Sequence, residues 1–444
     1  MVHTGVRKHA DDLRAASRLV IDATRGVTTA VEEMHHTIAS GPPILGRPFA
    51  PIARPLLRIV YGHIRAVTGL VGAGIDLALA QLEPLLGAST PGPARDAVVS
   101  ALNGVLGDHL HTTGSPLAIP MTFRREGQPL SIDARELRSV FPYAGGKLLV
   151  LVHGSSAHDR QWNRGGHDHG AALARDFGYT PVYLHYNSGL HISTNGRELA
   201  GLLERLVRAW PTPIEEITLL GHSMGGLVAR SACHAAEVEN LSWRPKLRRL
   251  VCLGSPHHGS PIERGGHWIH ALLGVSAYST PIQRLARIRS AGVTDMRFGY
   301  VLDEHWHACD RFELVPDARE KLALPEGVEC YAIAATTAKV VAAKLPGDGL
   351  VPVDSALGRH KRCGLTLAFP ESHQWIALGT GHLDLLGKAE VYEKLREWLG
   401  SIEKLNLEPG SALTTSTVLR AGFGLRPSTT SRALSPTARP RSRS

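Results

Sequence analysis

Leu219-Leu220-Gly221-His222-Ser223-Met224-Gly225-Gly226-Leu227 is the stretch whose reading decides the fold. It contains G-x-S-x-G. Upstream, Ile217-Thr218-Leu219-Leu220 has the β-branched and apolar composition of a buried strand. Downstream, Leu227-Val228-Ala229-Arg230-Ser231-Ala232-Cys233-His234-Ala235-Ala236 is a good helix former. A serine flanked by small residues, at the turn from strand into helix, is the context of a nucleophile elbow. A Cβ at Gly221 or Gly225 would crowd the strand–helix crossing. The serine then sits at a helix N-terminus, where free N–H groups and the helix dipole favour negative charge.

Working outward, Lys147 to Val152 is a continuous apolar run ending in His153-Gly154, as expected of a central strand covered on both faces. Further strands are expected at 181–186, 250–254, 328–334 and 365–369, the last of these closing the sheet. Helices are expected at about 197–210, after Ser223, and at 388–399. Leu117 to Phe123 and Pro129 to Ile132 read as a hairpin over Glu126-Gly127. Strands alternating with helices imply an α/β fold with a mainly parallel sheet. Residues 260–325 interrupt the alternation and read as a lid insertion.

Three helical segments precede the first strand, at about 8–40, 55–86 and 93–110. The first carries Val20, Ala23, Val27, Val31, Met34 and Ile38 at steps of three and four. They form an N-terminal helical region, 1–115, ahead of a catalytic domain at 116–405. The stripes lack Trp and Phe, so packing on the main domain is favoured over membrane contact. Residues 406–444 read as a disordered basic tail rich in Ser, Thr, Pro and Arg.

The chain has 444 residues, 43% hydrophobic and 20% charged, with a net charge of +9. Positions 409–444 hold Arg420, Arg426, Arg432, Arg439, Arg441 and Arg443 and no acid, so the remainder is near +3. That balance gives no argument for a nucleic-acid partner. The cysteines (Cys233, Cys252, Cys309, Cys330, Cys363) lack C-x-x-C spacing, which excludes a zinc or disulfide signature. Cys233 and Cys252, in a helix and a buried strand, are expected to be inert. No leader pattern or 18-residue apolar run is read, so a cytoplasmic location is expected, with peripheral membrane contact left open.

A serine nucleophile needs a base, itself oriented by a carboxylate. The expected chain order is serine, acid, histidine. Asp348 lies between glycines in Gly347-Asp348-Gly349-Leu350-Val351-Pro352, after a strand. His382 follows in Gly381-His382-Leu383-Asp384, before the last helix. Asp354 is the alternative acid, but reads as a helix starter. Two backbone N–H groups, of Met224 and Ser155, are the candidates for an oxyanion hole.

His167-Asp168-His169, near His153 and His158, lies among glycines without helical metal-ligand spacing, so no metal is expected there. Tyr186-Asn187-Ser188-Gly189 ends a strand where ligands enter a parallel sheet, and reads equally as a turn or as part of the site. His257-His258 reads as structural.

Taken together, the His-Gly strand end, Gly221-His222-Ser223-Met224-Gly225-Gly226, Gly254-Ser255-Pro256-His257-His258-Gly259-Ser260, the Asp348 turn and Gly381-His382 resemble an α/β-hydrolase lipase/esterase. The resemblance is to the group holding bacterial triacylglycerol lipases and the inositol deacylase acting on GPI anchors. It spans about 117–400. It implies Ser223 as nucleophile, Asp348 as acid and His382 as base, acting without a cofactor on a lipid-like or other apolar carboxylic ester. Acyl transfer or thioester hydrolysis on the same fold is the alternative, as is a non-catalytic membrane- or protein-binding module.

Overall fold

In the computed structural model the described residues are 92–260, 290–307, 317–342 and 345–400. The expected helices at 8–40 and 55–86, the middle of the insertion and the basic tail lie outside them.

The first helix, α1 (Pro93–Thr112), begins on a proline, whose missing N–H costs nothing there. Its buried Val99, Leu102, Val105, Leu106 and Leu110 join the hydrophobic core shared with the sheet. Buried Asn103 pins it: its Nδ2 donates to the Leu117 carbonyl at 2.8 Å, and its Oδ1 accepts from the Ile119 N–H at 2.9 Å. This explains a departure from the expected hairpin. Residues 117–121 are buried in part but form no ladder, because their polar groups go to Asn103 and Pro120 has no N–H. The hairpin is confined to β1 (Thr122–Arg125) and β2 (Gln128–Pro129). A short α2 (Ala134–Val140) follows, capped by Asp133.

The parallel part of the sheet is β3 (Lys147–Val152), β6 (Thr180–His185), β7 (Glu216–His222), β8 (Leu247–Leu253), β9 (Glu329–Ala335) and β10 (Gln374–Ala377). A two-residue ladder, β4 (Asn163–Arg164) with β5 (His167–Asp168), stands apart. The large sheet runs β10-β9-β8-β7-β3-β6-β1-β2, with only β1 and β2 antiparallel to their neighbours. Central β3 and β7 are buried almost throughout, which is why their sequences are continuous apolar runs rather than alternations.

Helices α3 (His169–Phe177), α4 (Ile192–Ala209) and α5 (Met224–Val238) join these strands, and α8 (Ala389–Leu399) closes the described domain. On α4 the buried Leu199, Leu202, Leu203 and Leu206 make one stripe. There α4 approaches α5 closely: a Cβ on Gly196 would lie 2.2 Å from Ser231 Oγ.

The expected strand at 365–369 is not in the sheet. Leu365, Leu367 and Phe369 are buried in alternation, but the Leu367 N–H donates to Gly358 in the adjoining loop. The edge of β9 is taken instead by β10, in register from Gln374 with Ala332 to Ala377 with Ala335.

The described parts of the insertion are packed into the body. Helix α6 (Ala291–Asp295) is capped by Ser290, whose hydroxyl donates to the Gly104 carbonyl at 2.7 Å. Asp295 accepts from the Ile192 N–H at 2.8 Å, holding the start of α4. No helix among the described residues is long and apolar enough to cross a membrane.

Candidate active site

Ser223 stands between β7 and α5 with φ 55° and ψ −125°. Left-handed φ is costly for a residue with a Cβ and is sustained only where the surroundings over-determine it. Here they do. The Ser223 N–H donates to the Leu253 carbonyl at 2.8 Å, and the Gly226 N–H donates to the Ser223 carbonyl at 3.2 Å. The small neighbours are required: a Cβ on Gly225 would lie 2.1 Å from the Val152 carbonyl oxygen, and one on Gly221 2.5 Å from the Gly226 nitrogen.

Asp348 and His382 meet. His382 Nδ1 and Asp348 Oδ2 are 2.7 Å apart, both side chains buried. The other carboxylate oxygen, Oδ1, accepts from the Leu350 and Val351 N–H groups at 2.9 and 2.8 Å. Burial alone would push the Asp348 carboxyl up. The adjacent His382 and the two N–H donors outweigh it and hold the group below the ordinary carboxylate range. It is therefore a fixed anion, and His382 Nδ1 carries the hydrogen. Asp354, in the first turn of the short α7 (Val353–Ala356), is exposed and remote from this pair in its bonding.

His382 opens a 3₁₀ turn, His382–Leu386. That turn is tied down twice. His222 Nε2 donates to the His382 carbonyl at 3.1 Å, and His169 Nε2 donates to the Leu385 carbonyl at 2.9 Å. The rings of His222 and His382 have centroids 4.7 Å apart. Gly254, with φ +58°, is tucked against the pair: a Cβ there would sit 3.3 Å from both Asp348 Oδ2 and His382 Cε1. His382 is thus held against His222, the residue before Ser223, and against Gly254. Ser223 Oγ itself makes no hydrogen bond with a described residue.

Met224 opens α5 and is fully buried, beside Ser223. Ser155 follows Gly154, whose position is set against the serine: a Cβ on Gly154 would be 3.0 Å from Ser223 Cβ. The loop is held by its neighbours. Tyr186 Oη donates to the His153 carbonyl at 2.9 Å, and the Ser156 N–H donates to Ser188 Oγ at 2.9 Å. The Tyr186-Asn187-Ser188-Gly189 turn therefore braces the strand end.

The acid turn has a brace of its own. Ser355 Oγ donates to the Gly259 carbonyl at 2.7 Å and accepts from the His258 N–H at 3.1 Å. His258 Nε2 donates to the Gly358 carbonyl at 2.8 Å. The residues at 167–169 also have structural partners: His167 Nε2 donates to His169 Nδ1 at 2.9 Å, and Asp168 caps α3 through the Ala171 N–H and accepts from Tyr183 Oη. Cys233 and Cys252 are buried thiols whose pKa burial pushes up to about 12, so neither is a nucleophile. A cavity of about 1020 Å³ lies away from Ser223, lined by Arg125, Phe141, Arg160 and Tyr183 at the hairpin end.

The roles of His222, His169 and Ser355 are absent from the sequence reading. His222 is the variable letter of G-x-S-x-G. His169 reads in the sequence only as a loop residue of the discounted His167-Asp168-His169 metal candidate.

With the fold and the site described, the chain can be set beside known proteins. Residues 145–329 match the PGAP1-like alpha/beta domain family. The match runs from β3 to the start of β9 and stops short of Asp348 and His382. No curated protein matches the sequence. Among solved structures, the mature Bacillus licheniformis lipase BlEst2 is similar at 16% identity and TM-score 0.37, covering 57% of this chain and 91% of that one. A lipase-esterase related protein from Clostridium acetobutylicum is similar at 14% identity and TM-score 0.32, covering 57% and 94%. Staphylococcus hyicus lipase is similar at 14% and 0.33, covering 59% and 97%. The fold is α/β, a mostly parallel sheet flanked by helices, and its central segment is similar to the PGAP1-like α/β domain.

Proposed function

We propose that the chain is a serine hydrolase of carboxylic esters, with Ser223, His382 and Asp348 as its catalytic residues and an apolar, lipid-like acyl group as its substrate. The observation that carries this reading is the buried 2.7 Å contact of His382 with Asp348, packed against the residue preceding a strained serine. Asp348 fixes the imidazole with its hydrogen on Nδ1, which leaves Nε2 as the basic nitrogen. The ester carbonyl is attacked by Ser223 Oγ as His382 takes the hydroxyl proton. Charge develops on the carbonyl oxygen at the N-terminus of α5, where the Met224 and Ser155 N–H groups stabilise it. Collapse of the tetrahedral intermediate breaks the C–O bond, and the alkoxide leaves with the proton from His382. Water, deprotonated by the same imidazole, then releases the acid and restores the serine.

The test is turnover of p-nitrophenyl esters of increasing chain length by the purified full chain and its Ser223→Ala variant. Activity should be present in the first and lower by ~10⁴-fold or more in the second. Turnover by neither, with the chain folded, would favour the binding-module alternative.

A further inference from the structure

The structure holds a second cluster of charge that the proposed chemistry does not use. Arg230 lies in α5, two turns beyond Ser223, and is buried with 4% exposure. Its Nη2 donates to the Leu322 carbonyl at 2.7 Å, and its Nη1 approaches His257 Nδ1 at 3.3 Å. Its Nε has no hydrogen-bond partner among the described residues. A buried guanidinium ordinarily faces a carboxylate, because an uncompensated charge is costly away from water. Here no carboxylate pairs with it among the described residues.

The nearby groups do not supply the missing charge. Cys233 and Cys252, which lie close enough to interact, stay protonated, and burial also pushes the Cys330 thiol up. The other buried cation, Arg319, comes from the insertion. It pairs with Asp317 at 3.4 Å, but Asp317 is shared with Arg362 at 3.3 Å. Burial, and to a smaller extent repulsion from Arg230, lowers the Arg319 pKa to about 10. Glu320 and Lys321, at the rim, are exposed and opposite in sign.

The histidines add donors. A guanidinium only donates, so His257 Nδ1 accepts from Arg230. Burial, with Arg230 beside it, holds His257 well below the ordinary histidine range, so it is neutral and its hydrogen sits on Nε2. That second buried donor also lacks a partner among the described residues. Arg230, His257, His305 and Arg319 line one small space of about 20 Å³, open at the Glu320 and Lys321 rim. By the measure of room for a single water-sized sphere, this takes one small occupant. Two buried cations and two unpartnered N–H groups, with Glu320 as the lining carboxylate only at the exposed rim, select a negative one.

We infer that Arg230, His257 and Arg319 form a binding site for a halide-sized monovalent anion, chloride being the abundant example. The position gives the ion a task. Arg319 donates to the His257 and Gly299 carbonyls at 3.2 and 3.0 Å and to His258 Nδ1 at 2.8 Å. His258 in turn braces the Ser355 end of the acid turn. The anion joins the helix that carries the serine to the loop that supports the aspartate.

The test is a halide titration of the full chain, exchanging sodium gluconate for sodium chloride or bromide at constant ionic strength and following Tm. Chloride and bromide should raise Tm saturably, by about 5 °C at concentrations well above the dissociation constant, while gluconate and sulfate should not. Arg230→Gln should flatten that response. A bromide-soaked crystal should give an anomalous peak between Arg230 and His257. The inference is overturned if bromide appears only on the surface, or if Arg230→Gln responds to chloride as the parent does. Should Arg230→Gln fail to fold, the bromide peak in the parent protein decides alone, its presence supporting the site and its absence rejecting it.

Discussion

His222 Nε2 donates a hydrogen bond to the main-chain carbonyl of His382, 3.1 Å away, across a sequence separation of 160 residues. A carbonyl oxygen only accepts, so His222 carries its hydrogen on Nε2. Burial lowers its pKa to about 3 and keeps it neutral. The residue before the candidate nucleophile thus sets the height of the candidate base. His222→Phe should keep the ring but lose the donor. We expect kcat to fall about 10- to 100-fold with KM little changed, because a small misplacement of a base is costly. Steady-state kinetics on a soluble ester checks this, and a KM-only effect would argue against a positioning role.

The carboxylates at 348 and 354 should separate cleanly. Asp348→Asn removes the anion that orients His382 and should lower kcat by about 10⁴-fold with the fold intact by circular dichroism. Asp354 is exposed, and Asp354→Asn should stay within about threefold of the parent rate, consistent with a surface change. The opposite ranking would move the acid role to Asp354.

Gly225→Ala places a methyl 2.1 Å from the Val152 carbonyl oxygen, where only backbone can yield. Overpacking of this kind costs about 1–3 kcal/mol or more. Gly364→Ala, which meets nothing within 4 Å, is the control. Thermal unfolding should show a large drop in Tm for the first and almost none for the second.

Acid should unfold the domain well above the carboxylate range. Burial lowers the pKa of His153, His222 and His258 to about 3, and of His158 and His169 to about 4. An unfolded chain protonates these side chains near their ordinary value of 6.5, so below that pH it binds protons the folded chain refuses. Stability is therefore complete above pH ~6.5 and falls as pH drops toward the folded values, by up to roughly 1.4 kcal/mol per unit for each histidine. Asp348, with a lowered pKa, acts in the same direction at lower pH: its contribution is present above the ordinary carboxylate value and lost as pH falls through the folded one. An unfolding midpoint near pH ~5, followed by tryptophan fluorescence, is expected. Retention of structure at pH ~3.5 would contradict the buried neutral histidines.

The parts of the fold legible in the sequence are those where burial and period agree. β3, β7 and β8 are covered on both faces, and their apolar runs say so. The strand at 365–369 misled because alternating burial of Leu365, Leu367 and Phe369 reports one apolar face, not a ladder partner. The true edge strand, Gln374–Ala377, is only half-buried, so its Gln-Trp start carries little signal. At the candidate site, chain order and glycine flanks pointed to Asp348 and His382, and the structure places them in contact. Tethers such as His222 to His382 and His169 to Leu385 join residues far apart in sequence, and no local pattern encodes them.

The central claim is that Ser223 is an activated nucleophile. The most direct measurement is labelling of the full chain with a fluorophosphonate, read by intact mass and by peptide mapping. We expect one adduct per chain on Ser223, lost in Ser223→Ala and slowed by orders of magnitude in Asp348→Asn and His382→Ala. An adduct on another residue, or equal labelling of the parent and Ser223→Ala, would contradict the account.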